Sequence, residues 1–327
     1  MSQRYKVIVV GAGPGGLAAA IECQEMGMSR EDILILEKGS EPADAIRKFY
    51  PEKKMTLANY KGLPTETLGH LPCFPDLTKA QTMTYFQELI DRYHLNLRLG
   101  AEVVKVSSTD SGFSVLVGRD EIEAEQVVVG IGILGRPNKP AYKLPTSLRN
   151  ELLFDITSQE VKGKKVLVVG GGDTSSEYCQ ILEQEGNSVT LVVRGNSLSK
   201  MMESNQTALS LLVEQHRVRL FLEMEILEVK DLEGKPSVVF SKPEKMPEEQ
   251  FDKIIFALGG TTPLNFLRTA GVACEDNWPV VDEFGQTSMP GLYLVGDLVA
   301  GKTGGSIITA YNSAFKAARE IVKKSSL

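Results

Sequence analysis

Apolar residues along the chain fall into short runs, and two of these runs open the same succession of elements. Lys6–Val10 reads as a buried strand, Gly11–Gly16 as a turn, Leu17–Met26 as a helix and Ile33–Leu36 as a second strand ending at Glu37. That alternation predicts a β-α-β unit. The pattern returns as Lys165–Val169, Gly170–Ser175, Ser176–Glu185 and Val189–Val193, with Gly186 standing where Gly27 stands in the first copy and Cys179 near the place of Cys23. Two copies at this separation are two nucleotide-binding domains rather than a solenoid.

The segments after each unit share a grammar. Thr78–Tyr93 reads as a helix, and Leu95–Leu99, Glu102–Ser107, Phe113–Gly118 and Ile122–Ala124 as short antiparallel strands. Gln126–Val129 is an apolar strand ending at Gly130-Ile131-Gly132. In the second copy Glu214–Val218 closes a helix, Leu220–Leu222, Glu225–Leu232 and Ser237–Ser241 are strands, and Phe251–Ala257 ends at Leu258-Gly259-Gly260. Gly291–Val295 then forms a strand before Gly296-Asp297, and a last helix runs from Gly305 or Ser306 to Lys323. The expected fold class is α/β: two Rossmann-like domains, 1–150 with 270–327 and 151–269, the second inserted in the first.

In each turn the first glycine permits the tight bend, the second lets backbone approach a pyrophosphate, and the third lets helix pack on strand. These are Gly11, Gly13 and Gly16 in the first copy, and Gly170, Gly172 and the small Ser175 in the second. The helix that follows offers unpaired N–H groups and a partial positive charge to phosphates. Pro14, Gly15, Asp173, Thr174 and Glu177 complete the two motifs. The second strands end differently. Glu37, with Lys38 after it, offers a carboxylate to a ribose diol, whereas the second copy has Val193 followed by Arg194. An arginine in place of an acid suits a 2′-phosphate, so NADPH is favoured over NADH. Lys200 adds charge; the alternative for Arg194 is a solvated surface residue.

The 327 residues, 42% hydrophobic and 24% charged, suffice for two ordinary globular domains. A formal net charge of −6 without a long basic run argues against nucleic acid or an anionic membrane as partner. No signal-peptide pattern precedes the first strand and no apolar run approaches the ~20 residues of a membrane span, so a cytoplasmic enzyme is expected. Cys23, Cys73, Cys179 and Cys274 form no CxxC, and His70, His94 and His216 have no zinc-type spacing, so no metal is expected. Cys23 and Cys179 read as packing residues. Cys274 has the acids Glu275 and Asp276 beside it, which disfavours a thiolate. Cys73, between Pro72 and Phe74, is either a redox thiol or a small buried hydrophobe. It and His70, a loop residue able to donate a proton, are the only catalytic candidates.

In order along the chain stand Gly11–Gly16 with Glu37, then Val127–Gly132, Gly170–Ser175 with Glu177, Ala257-Leu258-Gly259, and Thr287–Asp297. With these motifs the chain resembles the two-dinucleotide-domain flavoprotein reductases, the broad thioredoxin reductase group of the pyridine nucleotide-disulfide oxidoreductase superfamily. Tyr50-Pro51, Met55-Thr56 and the first turn are also similar to bacillithiol-disulfide reductase-like proteins, which carry a cysteine where this chain has Gly15. The resemblance implies FAD on 1–150 with 270–327, an NAD(P)H site on 151–269, and a homodimer. It implies that Asp297 holds the ribityl chain of FAD. It implies too that the last helix, entered through Lys302-Thr303-Gly304-Gly305-Ser306 and beginning with Ile307 and Thr309, points its N-terminus at the flavin pyrimidine. Val104, Gly132 and Gly259 join the cofactor residues. Tyr50, Lys54 and Thr56 form the floor or rim of the flavin pocket, unless Phe49–Lys54 is simply a solvated loop.

The thioredoxin reductase CxxC falls ahead of the second turn, and residues 133–169 here contain no cysteine. The expected reaction is hydride transfer from NADPH to flavin N5, then electron transfer to a small redox protein or small-molecule acceptor without an internal CxxC. Two alternatives stay open. One is a thioredoxin- or bacillithiol-type disulfide reductase with atypical cysteine usage, its acceptor a low-molecular-weight disulfide. The other is a flavin-binding protein with little turnover.

Overall fold

The computed structural model describes residues 4–52, 54–58, 62–133, 137–259, 263–301 and 305–325. Contacts divide the chain into two units, Met1–Gly135 with Thr261–Leu327, and Arg136–Gly260. The second therefore interrupts the first, as the repeated pattern predicts.

In the first unit β1 (Arg4–Val10) is the middle strand, and its Val7, Ile8 and Val9 are wholly buried. An unbroken β-branched run of this kind belongs to a parallel sheet covered on both faces. After the turn comes α1 (Pro14–Glu25), then β2 (Ile33–Leu36), which pairs parallel with β1 from Val7↔Ile33 to Val10↔Leu36. A short helix α2 (Asp44–Phe49), absent from the sequence expectation, follows Ala43, and α3 (Lys79–Arg92) comes next. A reciprocal capping box starts α3: Gln81 N–H donates to Thr78 Oγ1 and Thr78 N–H donates to Gln81 Oε1.

The strand β3 (Leu97–Arg98) pairs parallel with β2, not antiparallel as expected. The α3 crossover returns the chain in the direction of β2, which makes the new strand parallel. β4 (Val103–Thr109) and β5 (Gly112–Val117) form the antiparallel hairpin.

Ile122–Ala124 and Gln126–Val129, expected as separate strands, are one strand, β6 (Asp120–Val129). Its burial explains the misreading. Ile122 and Ala124 alternate with exposed acids, whereas Gln126–Val129 are all buried. The first half pairs with β5 on a half-solvated ribbon, and the second half lies within the covered parallel sheet.

The second unit repeats the scheme. β7 (Lys165–Val169), α4 (Asp173–Gln184), β8 (Ser188–Val193), α5 (Glu203–Glu214), β9 (Val218–Leu222) and β10 (Lys253–Phe256) build a parallel sheet ordered β9-β8-β7-β10, with Leu152–Leu153 at the edge. Tyr142, Leu144 and Leu148 pack on this unit's core.

The chain then returns to the first unit. β11 (Leu292–Leu294) pairs parallel with Val127–Val129 of β6, and α6 (Ile307–Ser325) lies on α1. Ala18, Ala19 and Ala20 of α1 share one core cluster with Ala314, Ala317 and Ala318 of α6, all fully buried. Among the described residues no helix is long and apolar enough to cross a membrane.

The alanine seam leaves no room for added methylenes. Ala314→Leu is expected to lower stability by about 1–3 kcal/mol, read as a lower urea midpoint with unchanged slope; an unshifted midpoint would show that the helices tolerate a wider spacing.

Candidate functional site

The first turn is built by close backbone approach. Gly11 has φ +100°, and a Cβ there would stand 2.7 Å from the Gly130 carbonyl oxygen, while a Cβ on Gly16 would overlap the carbonyl of Gly11. Gly130, at the end of β6, is part of the same contact: a Cβ on it would lie 3.0 Å from Gly16 N. Both helices begin earlier than the apolar pattern suggests, at Pro14 and Asp173, so their N-termini open directly on the turns. Above Gly13 the nearest described atom to an added Cβ is 3.8 Å away, and above Gly172 no described atom lies within 4 Å. These open positions at helix N-termini suit a pyrophosphate.

Glu37 directly follows β2 and is buried. Its Oε2 accepts the N–H of Ala12 (2.8 Å) and its Oε1 that of Gly39 (2.7 Å), so the carboxylate stands beside the turn with a fixed orientation. Lys38 is exposed. Gly39 escaped sequence reading, and Ala12 and Gly130, though inside the quoted motifs, were not singled out, because all three act through backbone atoms. Tyr50 and Lys54 are half-buried, with Lys54 Nζ 4.3 Å from the Tyr50 ring centroid. Phe49 belongs to α2 and Tyr50 packs on the core, so this run is not simply a solvated loop. Thr56 is buried and accepts a hydrogen bond from Thr82 of α3 (3.2 Å). Val104 is 55% exposed on β4, an outer strand of the sheet, and no described interaction ties it to the turn. No described atom lies within 4 Å of a Cβ added at Gly132.

The returning tail completes this side. Gly15 lies against residue 296: an added Cβ would stand 3.1 Å from Gly296 N. Gly296 N–H donates to Ser313 Oγ (2.9 Å). Burial pushes the Asp297 carboxyl above its ordinary range. A Cβ on Gly305 would overlap Asp297 Oδ1, so a side chain there would have to displace that carboxylate. Lys302, Thr303 and Gly304 lie outside the described residues. Ser306 and Thr309 cap α6 reciprocally, Ser306 N–H donating to Thr309 Oγ1 (2.6 Å) and Thr309 N–H to Ser306 Oγ (3.1 Å). Thr309 is thus committed to its own helix, and Ile307 is buried.

In the second unit Gly170 has φ +154°, and a Cβ there would overlap the Ala257 carbonyl, so Ala257 takes the part of Gly130. Ser175 is fully buried and donates its hydroxyl to Gly172 O (2.6 Å). Thr174 is exposed and Glu177 half-buried. Asp173 turns toward α5, accepting from Met202 N–H (2.6 Å) and Asn205 Nδ2 (3.0 Å). Gly259 O accepts from Asn138 N–H (2.9 Å), which fastens the end of β10. Arg194 is exposed.

The remaining candidates separate clearly. Glu22 of α1 is 1% exposed and accepts His70 N–H (2.9 Å), His70 Nδ1 (2.8 Å) and Leu71 N–H (3.2 Å), fixing the loop that carries His70. A lone acid in the alanine-rich face of α1 was the available sequence signal. Cys73 is exposed, so it is not a small buried hydrophobe. Cys23 and Cys179 are buried, and burial pushes the Cys23 thiol up to about 12. All four cysteines are unpaired.

The comparisons with known proteins agree with this architecture. A ferredoxin–NADP reductase from Lactococcus lactis subsp. lactis is 30% identical over 310 residues, covering 90% of this chain and 86% of the relative. The bacillithiol disulfide reductase of Staphylococcus aureus superposes with a TM-score of 0.82 at 18% identity, covering 98% of this chain and 99% of the other. T. acidophilum thioredoxin reductase does so with a TM-score of 0.80 at 21% identity, covering 99% and 100%. The model of the pyridine nucleotide-disulphide oxidoreductase family matches residues 8–296, and the chain belongs to that family of oxidoreductases, as its ordered motifs implied.

Proposed function

We propose that this protein is an NADPH-dependent FAD oxidoreductase that delivers electrons to a small redox protein or small-molecule acceptor without a thiol relay. The observation that carries this reading is the asymmetry of the two strand ends. At the first, a buried carboxylate, Glu37, stands beside the open turn; at the second, Val193 is followed by the exposed Arg194. The first suits the ribose diol of FAD and the second the 2′-phosphate of NADPH. The bound cofactors supply hydride and electron transfer.

The chain's own residues bind and orient. The N-termini of α1 and α4 would hold the pyrophosphates, Asp297 would accept from a ribityl hydroxyl, and the N-terminus of α6 would offer N–H groups to the flavin pyrimidine. A thiol relay needs an accessible thiol beside a resolving partner. Cys23 and Cys179 are buried, and Cys73 is an exposed thiol without a disulfide partner. The Lactococcus relative is named for ferredoxin as acceptor, which supports a protein partner of that class.

Anaerobic mixing with NADPH is expected to bleach the bound flavin faster than NADH does; equal rates or an NADH preference would overturn the role given to Arg194. Arg194→Ala is expected to raise KM for NADPH about 10–100-fold, the worth of a charge-assisted hydrogen bond, and to leave NADH unchanged. Cys73→Ser is expected to retain NADPH-driven acceptor turnover, and its loss would favour disulfide chemistry.

Asp297→Asn is expected to weaken FAD binding about tenfold or more, measured by flavin release. Because the folded pKa of Asp297 lies above its unfolded value, ionisation destabilises the flavin-free fold as pH rises. The variant's flavin-free form is therefore expected to melt higher than wild type at pH 7, with the difference vanishing as pH falls below the ordinary carboxylate range.

A further inference from the structure

Asp173 occupies the first position of α4, the place that Pro14 holds in α1. A carboxylate at the mouth of a pyrophosphate site adds like charge where a dianion docks, which by itself opposes binding. Its geometry shows another use. Asp173 is 8% exposed, and Oδ1 accepts the N–H of Met202 (2.6 Å) and the side-chain amide of Asn205 (3.0 Å). Met202 is the N-cap residue of α5 and provides no side-chain cap of its own. A carboxylate from the neighbouring helix thus satisfies a donor that the start of α5 leaves open. The seam continues inward, with Ser176 Oγ donating to Asn205 O (2.9 Å) and Gln180 Nε2 to Asn205 Oδ1 (3.3 Å).

Between β8 and this seam runs the strap 194–201. Its first end is held where Glu223 N–H donates to Gly195 O (2.9 Å) and Met224 N–H to Val193 O (3.1 Å). Its second end is held by the buried Met201 and by the Met202–Asp173 bond. Arg194 stands within the first anchor and Lys200 just ahead of the second, and both are exposed.

We propose that Asp173 is a positioning residue. By fixing the α5 end of the strap it sets where Lys200 stands relative to Arg194, which the β8 end holds, and so the preference for a 2′-phosphorylated dinucleotide. This rests on the reading of Arg194 as the 2′-phosphate partner. The carboxylate links the second glycine-rich turn to the strap.

The test is titration calorimetry on the flavin-loaded full chain with NADP⁺, NAD⁺ and 2′,5′-ADP, alongside thermal melting. Asp173→Ala is expected to lower the affinity for NADP⁺ relative to NAD⁺ about tenfold, the worth of one net hydrogen bond, and to weaken 2′,5′-ADP. Asp173→Asn, which keeps an accepting oxygen, is expected to restore the wild-type ratio. Asn205→Ala removes one tether and is expected to give a smaller loss of the same selectivity, so the proposal stays testable if Asp173→Ala does not fold. Equal losses for all three ligands would overturn the proposal, as would tighter binding of NAD⁺ and NADP⁺ together, the mark of relieved repulsion alone. A wild-type protein without preference for NADP⁺ would overturn the parent reading and this proposal with it. A wild-type preference with unselective losses in the variants overturns this proposal only.

Discussion

The architecture depends on backbone meeting backbone without side chains between. In the first unit Gly11 lies under the carbonyl of Gly130, and Gly16 lies against Gly11. In the second, Gly170 lies under the carbonyl of Ala257. Each contact draws the turn after one strand onto the end of its neighbour, so the following helix starts close over the sheet with its N–H groups directed outward. A methyl group at any of these positions would push the helix end off the strand and close the cradle that the helix forms.

On that base the two units diverge through what borders each cradle. The first is finished by remote chain: β11 pairs beside the last residues of β6 and carries Gly296 to Gly15, with Asp297 next to it. The second is finished by local chain, the strap 194–201 held at both ends. Under the proposed function one sheet plan would serve two ligands: the shared turn and helix end would take a pyrophosphate, and the added part, buried carboxylates in one unit and exposed cations in the other, would distinguish what hangs from it.

Much of this was legible in the sequence. The repeated strand–turn–helix pattern, the insertion of one domain in the other, the glycine positions and the contrast between Glu37 and Arg194 all follow from residue type and spacing. Three kinds of feature were not. Strand direction at β3 depends on how the α3 crossover packs, which periodicity does not encode. The continuity of β6 was hidden because its neighbours change halfway along, so its burial changes from alternating to complete. The partners of Glu22 and Asp173 lie far along the chain, at His70 and Met202, and a buried acid looks in sequence like any surface acid. Val104 shows the converse: a residue carried over with the family pattern stands exposed on an outer strand.

The pairing of Leu292–Leu294 with Val127–Val129 also fixes an order of events at birth. During synthesis the ribosome has made the whole of 136–260 before the last strand and final helix of the first unit exist, so the inserted unit has everything it needs while its host lacks an edge and the partner of its alanine seam. Until the final residues emerge, the nascent chain carries one finished lobe and one unfinished sheet with an open strand, the kind of surface that invites pairing with other chains. The interval between completing the two lobes, set by elongation speed, is where chaperone demand and misassembly concentrate for this topology.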